Sequence, residues 1–164
     1  MLVKYFRLCY HINDLKGEDM KAVIQRVLSA NLKVDGKLIS EIDKGYVIFL
    51  GVKKGDTKEN ADYFIKKIPT LRICEDENGK INRSIVDTNG EILLVSQFTL
   101  YANTSHGNRP DFLEAESPDK ANELYEYVLE GLLKQNLVVK KGVFGADMKI
   151  SQINDGPFTV ILEK

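Results

Sequence analysis

An apolar run, Ile92-Leu93-Leu94-Val95, leads directly into Ser96-Gln97-Phe98-Thr99-Leu100-Tyr101, where Ser96, Gln97 and Thr99 place three hydrogen-bonding side chains at the end of an expected buried strand. In α/β sheets the strand ends are where ligands gather, because the chain leaves the sheet there and side chains can converge. The same polar groups can also satisfy turn backbone, so both readings stand on the residues alone. A second cluster is Asn154-Asp155-Gly156-Pro157-Phe158-Thr159, where glycine precedes a proline whose φ is locked. Such a bond either holds a cis peptide in a tight turn or makes a plain turn. A third, Gly107-Asn108-Arg109-Pro110-Asp111-Phe112, combines a cation with glycine and proline in a long loop, a composition common in exposed connections.

Familiar side-chain catalysts are nearly absent. The two histidines are His11, near the start, and His106, in a Gly/Asn/Ser segment, so a Ser-His-Asp or Cys-His arrangement would rest on one exposed imidazole. Asp87, Glu91, Asp111 and Asp155 sit in turn-like settings, where carboxylates usually cap or solvate. There is no HExxH, P-loop or GxGxxG motif. Cys9 and Cys74 lack CxxC or Cys/His spacing, which argues against a disulfide framework and a structural zinc site. No metal and no cofactor is expected, and a reducing, cytoplasmic compartment is the simpler reading.

The elements that must position these clusters follow from periodicity. Lys21–Val27, Tyr46–Val52 and Ile92–Leu100 read as buried strands, and Asp35-Gly36 between apolar residues marks a two-residue hairpin. A further strand pair is expected at Leu137–Lys141 and Met148–Ile153, with Phe158–Leu162 as the last strand. Asp56 or Thr57 caps a helix whose Ala61, Phe64, Ile65 and Ile68 share a face until Pro69 stops it. Ser117 caps a second, with Pro118 in its first position and Ala121, Leu124, Val128 and Leu132 as its stripe. Two helices cover one sheet face, so a second sheet layer or a partner subunit must cover the other.

With 164 residues, 43% of them hydrophobic, the chain suits one α/β domain. Charged residues make up 29%, and no run of eighteen apolar residues occurs, which excludes membrane-spanning and disordered classes. The net charge of -1, from 23 basic and 24 acidic residues, means that any nucleic-acid affinity must come from local patches. Residues 1–19 lack the apolar core and cleavage site of an export signal. Met20 opens a strand-like segment, and Lys16-Gly17-Glu18 can be encoded by a ribosome-binding sequence, so residues 1–19 read either as translated leader or as a terminal extension, and residues 20–164 as the domain.

Taken together and in order, Gln25-Arg26-Val27, Ser96-Gln97-Phe98-Thr99-Leu100, the Gly107–Phe112 loop, Phe144-Gly145-Ala146-Asp147-Met148 and Asn154–Thr159 resemble the motifs of D-aminoacyl-tRNA deacylases over Met20 to Lys164. Phe158 stands where valine is usual and Asp111 where serine is more frequent. The Ser96-Gln97-Phe98 form differs from the Pro-Gln-Ala of related animal enzymes, which favours strict D-selectivity. The resemblance implies a three-layer α/β/β domain, two helices over stacked sheets, in a homodimer with active sites at the interface. It implies hydrolysis of the ester of D-aminoacyl-tRNA, and of glycine mischarged on tRNA(Ala), with no DNA or membrane partner. Ser96, Gln97, Phe98 and Thr99 would frame the ester carbonyl, with Thr99 as a positioning group or, on the rival reading, a nucleophile. A cis Gly156-Pro157 unit held by Arg26 would read chirality across the subunits, and Phe144 and Met148 would hold the terminal adenine. Other classes consistent with the residues are a Thr99 esterase or peptidase and a non-catalytic dimeric RNA-binding module.

Overall fold

The computed structural model describes residues 20–164, so the expectation for residues 1–19 lies outside the described residues. In chain order the elements are β1 (Lys21–Val34), β2 (Lys37–Ile42), β3 (Gly45–Gly51), α1 (Lys58–Thr70), β4 (Cys74–Glu75), β5 (Ile81–Arg83), β6 (Glu91–Ser96), a 3₁₀ turn (Phe98–Tyr101), α2 (Pro118–Leu133), β7 (Val138–Lys141) and β8 (Met148–Glu163). The main sheet runs β2-β1-β3-β6-β7, and β8 pairs with β1. β6 is parallel to β3 and β7, while β2, β3 and β8 lie antiparallel to β1.

Alternating side chains on the central strands feed two cores. Tyr46, Ile48, Leu50, Ile92 and Leu94 face α1 and α2, packing with Phe64, Ile68, Tyr125 and Val128. Val47, Leu93 and Val95 face the opposite way, against Val27, Ala30, Leu32 and Ile42. Each such aliphatic side chain contributes roughly 1.5–3 kcal/mol by leaving water. β1 serves both cores. Its first half puts Ala22 and Ile24 under the helices, and its second half puts Ala30 and Leu32 into the other core. The change of face falls at register breaks with β8, between Gln25 and Val27 and between Val27 and Ser29. The expected α/β/β layering is therefore present, with the two sheet layers formed by one sheet that folds over itself. Ser40 Oγ on β2 reaches the Lys141 carbonyl on β7 at 2.6 Å, which nearly closes the fold.

The hairpin expected at Asp35-Gly36 forms, with φ values of 50° and 75° that suit a two-residue turn. Four expectations need correction. α1 does not stop before Pro69 but includes it. The carbonyl that a residue-69 amide would have bonded, that of Ile65, accepts instead from Gln135 Nε2 at 2.7 Å. The strand expected over Ile92–Leu100 ends at Ser96, since its neighbour β3 ends at Gly51 and the chain turns there. β7 and β8 are not partners: β7 pairs with β6 and β8 with β1. Finally, Met148–Ile153 and Phe158–Leu162 are parts of one strand, β8, because β1 is long enough to pair on both sides of Gly156-Pro157.

Candidate active site

The end of β6 is built for a sharp exit. Gln97 N–H still bonds the Leu50 carbonyl at 2.8 Å, and the chain then folds into the Phe98–Tyr101 turn. Tyr101, buried, anchors that turn by donating from its hydroxyl to the Gly51 carbonyl at 3.1 Å. Residue 51 must be glycine, because a Cβ there would lie 2.9 Å from the Tyr101 ring and 3.1 Å from the Gln97 carbonyl oxygen. The amides of Phe98 and Thr99 open the turn, where a helix leaves its first N–H groups without an internal acceptor. Behind it, Tyr125 donates to the Leu94 carbonyl at 2.8 Å, and burial pushes its phenol well above the ordinary range.

A cavity of about 590 Å³ opens beside this turn. Ser96, Gln97 and Phe98 form one wall, and Phe144 and Met148, from the β7–β8 connection, form another. The structure thus brings together five of the residues singled out in sequence. Thr99 lies alongside, exposed, its hydroxyl accepting from Gln97 Nε2. An amide donor is no general base, so this contact orients Oγ1 without drawing off its proton. His106 does not line the cavity.

Two further wall residues had no role assigned from sequence. Phe112 packs edge-on against Phe98, with centroids 5.1 Å apart, and lines the cavity. Its loop was visible in the sequence, but attention there falls on Arg109. Glu116, just before the α2 cap, accepts from Ser117 N–H at 2.7 Å, Lys120 Nζ at 3.0 Å and Gly55 N–H at 3.3 Å. These donors, the Ser117 amide foremost, lower its carboxyl from 4.5 to about 2. Its position one residue ahead of Ser117-Pro118 was the available signal.

Arg26, Gly156 and Pro157 are not on this cavity. Between the pairs Gln25↔Thr159 and Val27↔Asn154, the single residue Arg26 faces Asp155, Gly156, Pro157 and Phe158, so the Gly-Pro segment bulges from β8. The Gly156-Pro157 bond is cis, and both residues are exposed. Arg26 is only 5% exposed. Its Nη1 donates to the Ile73 carbonyl at 2.9 Å and its Nη2 to Glu75 Oε1 at 3.1 Å. Nε reaches the Asp155 carbonyl at 3.3 Å, and the guanidinium stands 5.2 Å from the Phe158 ring centroid. Arg26 therefore grips both flanks of Gly156-Pro157. It does so at a separate polar pocket of about 310 Å³ that Cys74 and Asp155 also line. Among the described residues no cluster of His, Cys, Asp or Glu is placed to hold a metal ion, and no helix is long and apolar enough to cross a membrane.

Comparison with known proteins agrees with this architecture. The family model described as D-Tyr-tRNA(Tyr) deacylase matches residues 23–163. The D-aminoacyl-tRNA deacylase of Persephonella marina is 54% identical over 144 residues, covering 88% of this chain and 97% of that protein. That of Geotalea daltonii is 52% identical over 144 residues, covering 88% and 96%. The solved structure of a c-Myc DNA Unwinding Element Binding Protein superposes with a TM-score of 0.82 at 42% identity, covering 88% of this chain and 98% of that one. With its fold and nearly the whole of residues 20–164 accounted for in this way, the chain belongs to the D-Tyr-tRNA(Tyr) deacylase family, hydrolases that act on ester bonds.

Proposed function

We propose that this enzyme removes D-amino acids, and glycine mischarged on tRNA(Ala), from tRNA in the cytoplasm, working as a homodimer with residues 20–164 as its single catalytic domain. The observation that carries the reading is the separation just described: a formed cavity at the end of β6, and an exposed Gly156-Pro157 bulge that does not reach it. A bulge directed outward is suited to enter the cavity of a second subunit. Support for a second subunit comes from β8, a sixteen-residue strand that pairs only with β1 among the described residues and leaves Ile153 and Ile161 about 60% exposed. A long edge with outward apolar side chains is a surface that proteins cover.

Chemically, an aminoacyl ester is labile enough that no strong nucleophile is required. The Phe98 and Thr99 amides are the natural donors to the ester oxygen as it becomes anionic, a contribution worth several kcal/mol in such sites. Ser96, Gln97 and Thr99 position the ester and water, and the terminal ribose 2′-hydroxyl assists. Phe144 and Met148 take the terminal adenine by stacking and apolar contact. The partner's Gly156-Pro157 segment accepts the α-ammonium on its carbonyl oxygens and occupies the space that an L side chain requires. Glycine has no side chain to exclude. Arg26 keeps that segment in place through the contacts to Asp155 and Phe158.

Incubating the purified protein with D-Tyr-tRNA, L-Tyr-tRNA and Gly-tRNA(Ala) tests the proposal. Release of D-tyrosine and glycine with L-tyrosine retained is expected. Equal hydrolysis of all three would point to an unselective esterase, and binding without hydrolysis to an RNA-binding module.

A further inference from the structure

We infer that the lysines framing the Phe144–Met148 wall of the cavity, with Lys33 and Lys37 of the β1–β2 hairpin, form a docking surface for the phosphates of the tRNA acceptor end. The inference rests on the deacylase reading and goes beyond it by saying where the body of the substrate lies.

The segment that supplies Phe144 and Met148 is bounded by lysines at both ends, Lys140-Lys141 on β7 and Lys149 on β8. Lys149 is paired directly across the strands with Lys33 of β1. Val34, the next residue, pairs with Met148 on one side and Lys37 on the other, so the hairpin is tied to the cavity wall. Glycine at 142 brings β7 to the same place: a Cβ there would lie 2.6 Å from Met148 Sδ. All five lysines are exposed. Lys141 pairs with Glu126 and Lys149 with Asp147, whereas Lys33, Lys37 and Lys140 have no ion pair among the described residues. Asp35, at the hairpin tip, and Glu41, on β2, are the acidic residues of the hairpin.

Two like charges directly opposite each other in a sheet are mutually destabilising. Asp147 answers the charge of Lys149 but not that of Lys33, so the pair keeps one cation in excess, beside Lys37, for a polyanion laid across it. The whole chain carries a net charge of -1, so this concentration of cations is local. A tRNA whose terminal adenosine enters beside Phe144 and Met148 must lead its preceding phosphates out past this rim. Lysine suits that role, as a flexible point charge that needs no fixed geometry.

The test compares D-Tyr-tRNA with D-tyrosine esterified to adenosine, which presents the same ester and terminal base but carries no phosphate. The variant Lys33→Gln/Lys37→Gln/Lys149→Gln changes exposed residues only. On D-Tyr-tRNA its KM should rise about tenfold near 0.1 M salt, and the slope of log KM against log salt should fall by about 2–3, as for loss of three phosphate contacts. Its kcat, its turnover of the adenosine ester and its thermal midpoint should stay at or above wild type. Lys66→Gln/Lys67→Gln/Lys134→Gln, an equal charge change on the helices, should leave both substrates unaffected. Unchanged KM and salt slope in the first variant would overturn the docking surface. So would equal losses on the two substrates, or an equal effect of the helix variant. A wild-type protein inactive on both substrates would refute the deacylase reading, and the docking surface with it.

Discussion

Arg26 holds Asp155 twice through one nitrogen, Nε lying 3.3 Å from its main-chain oxygen and 3.1 Å from its carboxylate. Asp155 immediately precedes Gly156, so a side chain on β1 sets the start of the exposed bulge on β8. The remaining guanidinium nitrogens are committed to Ile73 and Glu75, which fixes the fork in orientation as well as position.

If that grip keeps the bulge rigid enough to exclude an L side chain, Arg26→Ala should weaken discrimination before it abolishes turnover. Loss of a buried, charge-assisted contact is worth roughly 1.5–3 kcal/mol, or about a ten- to hundredfold fall in selectivity if all of it enters the transition-state difference. Stability should drop as well. Arg26→Lys retains the charge but cannot reach Ile73, Glu75 and Asp155 at once, and should fall between the two. The readout is the ratio of D- to L-Tyr-tRNA hydrolysis rates in folded protein, and an unchanged ratio in Arg26→Ala removes Arg26 from the proposed chirality filter.

Thr99 separates positioning from covalent catalysis. Its hydroxyl accepts from Gln97 Nε2, and Thr99→Ala leaves the Phe98 and Thr99 amides in place. The kcat for D-Tyr-tRNA should fall by less than about tenfold. Loss of all turnover with normal folding and tRNA binding would instead identify Thr99 as the nucleophile.

Glu116 predicts an acid limit on the cavity wall. Its folded carboxyl is depressed from 4.5 to about 2, so the stability it contributes is complete above pH 4.5 and is lost as pH falls toward 2. Glu116→Gln should lower the thermal midpoint by a few degrees at neutral pH, because Lys120 and the Ser117 and Gly55 amides lose a charged acceptor. Melting both proteins from pH 7 to pH 2 should show the difference constant down to about pH 5 and closing below it. A difference that persists unchanged at pH 2 contradicts the assignment.

Periodicity in the sequence was enough to locate α1, α2, the Asp35-Gly36 hairpin and the apolar central strands, since each rests on local spacing. What local spacing does not carry is pairing. The two apolar stretches of β8 look like separate strands because Asn154–Pro157 reads as a turn, and only the length of β1 shows them to be continuous. The exit after Ser96 was likewise hidden, as Phe98, Leu100 and Tyr101 continue the strand-like composition, while the cause of the turn lies in Gly51 on another strand. Ser96, Gln97, Phe98, Phe144 and Met148 were singled out through ordered motifs, and the fold brings them to one cavity. Glu116 and Phe112 were not, because their place on the cavity depends on how α2 and the preceding loop dock.

The central claim, a site shared between subunits, is tested most directly by mixing two inactive proteins. Gly156→Ala should be inactive yet dimeric: residue 156 has φ +127°, and a methyl there would lie 2.9 Å from the Phe158 amide nitrogen, displacing the exposed bulge. Ala146→Trp should be inactive because the indole fills the cavity that Ala146 lines. In a heterodimer of the two, one site carries both defects and the other carries neither. Coexpression with two affinity tags, followed by assay on D-Tyr-tRNA, should recover about a quarter of wild-type activity from randomly assorted subunits, and purified heterodimer about half. Verified heterodimer with no recovered activity would contradict the shared site.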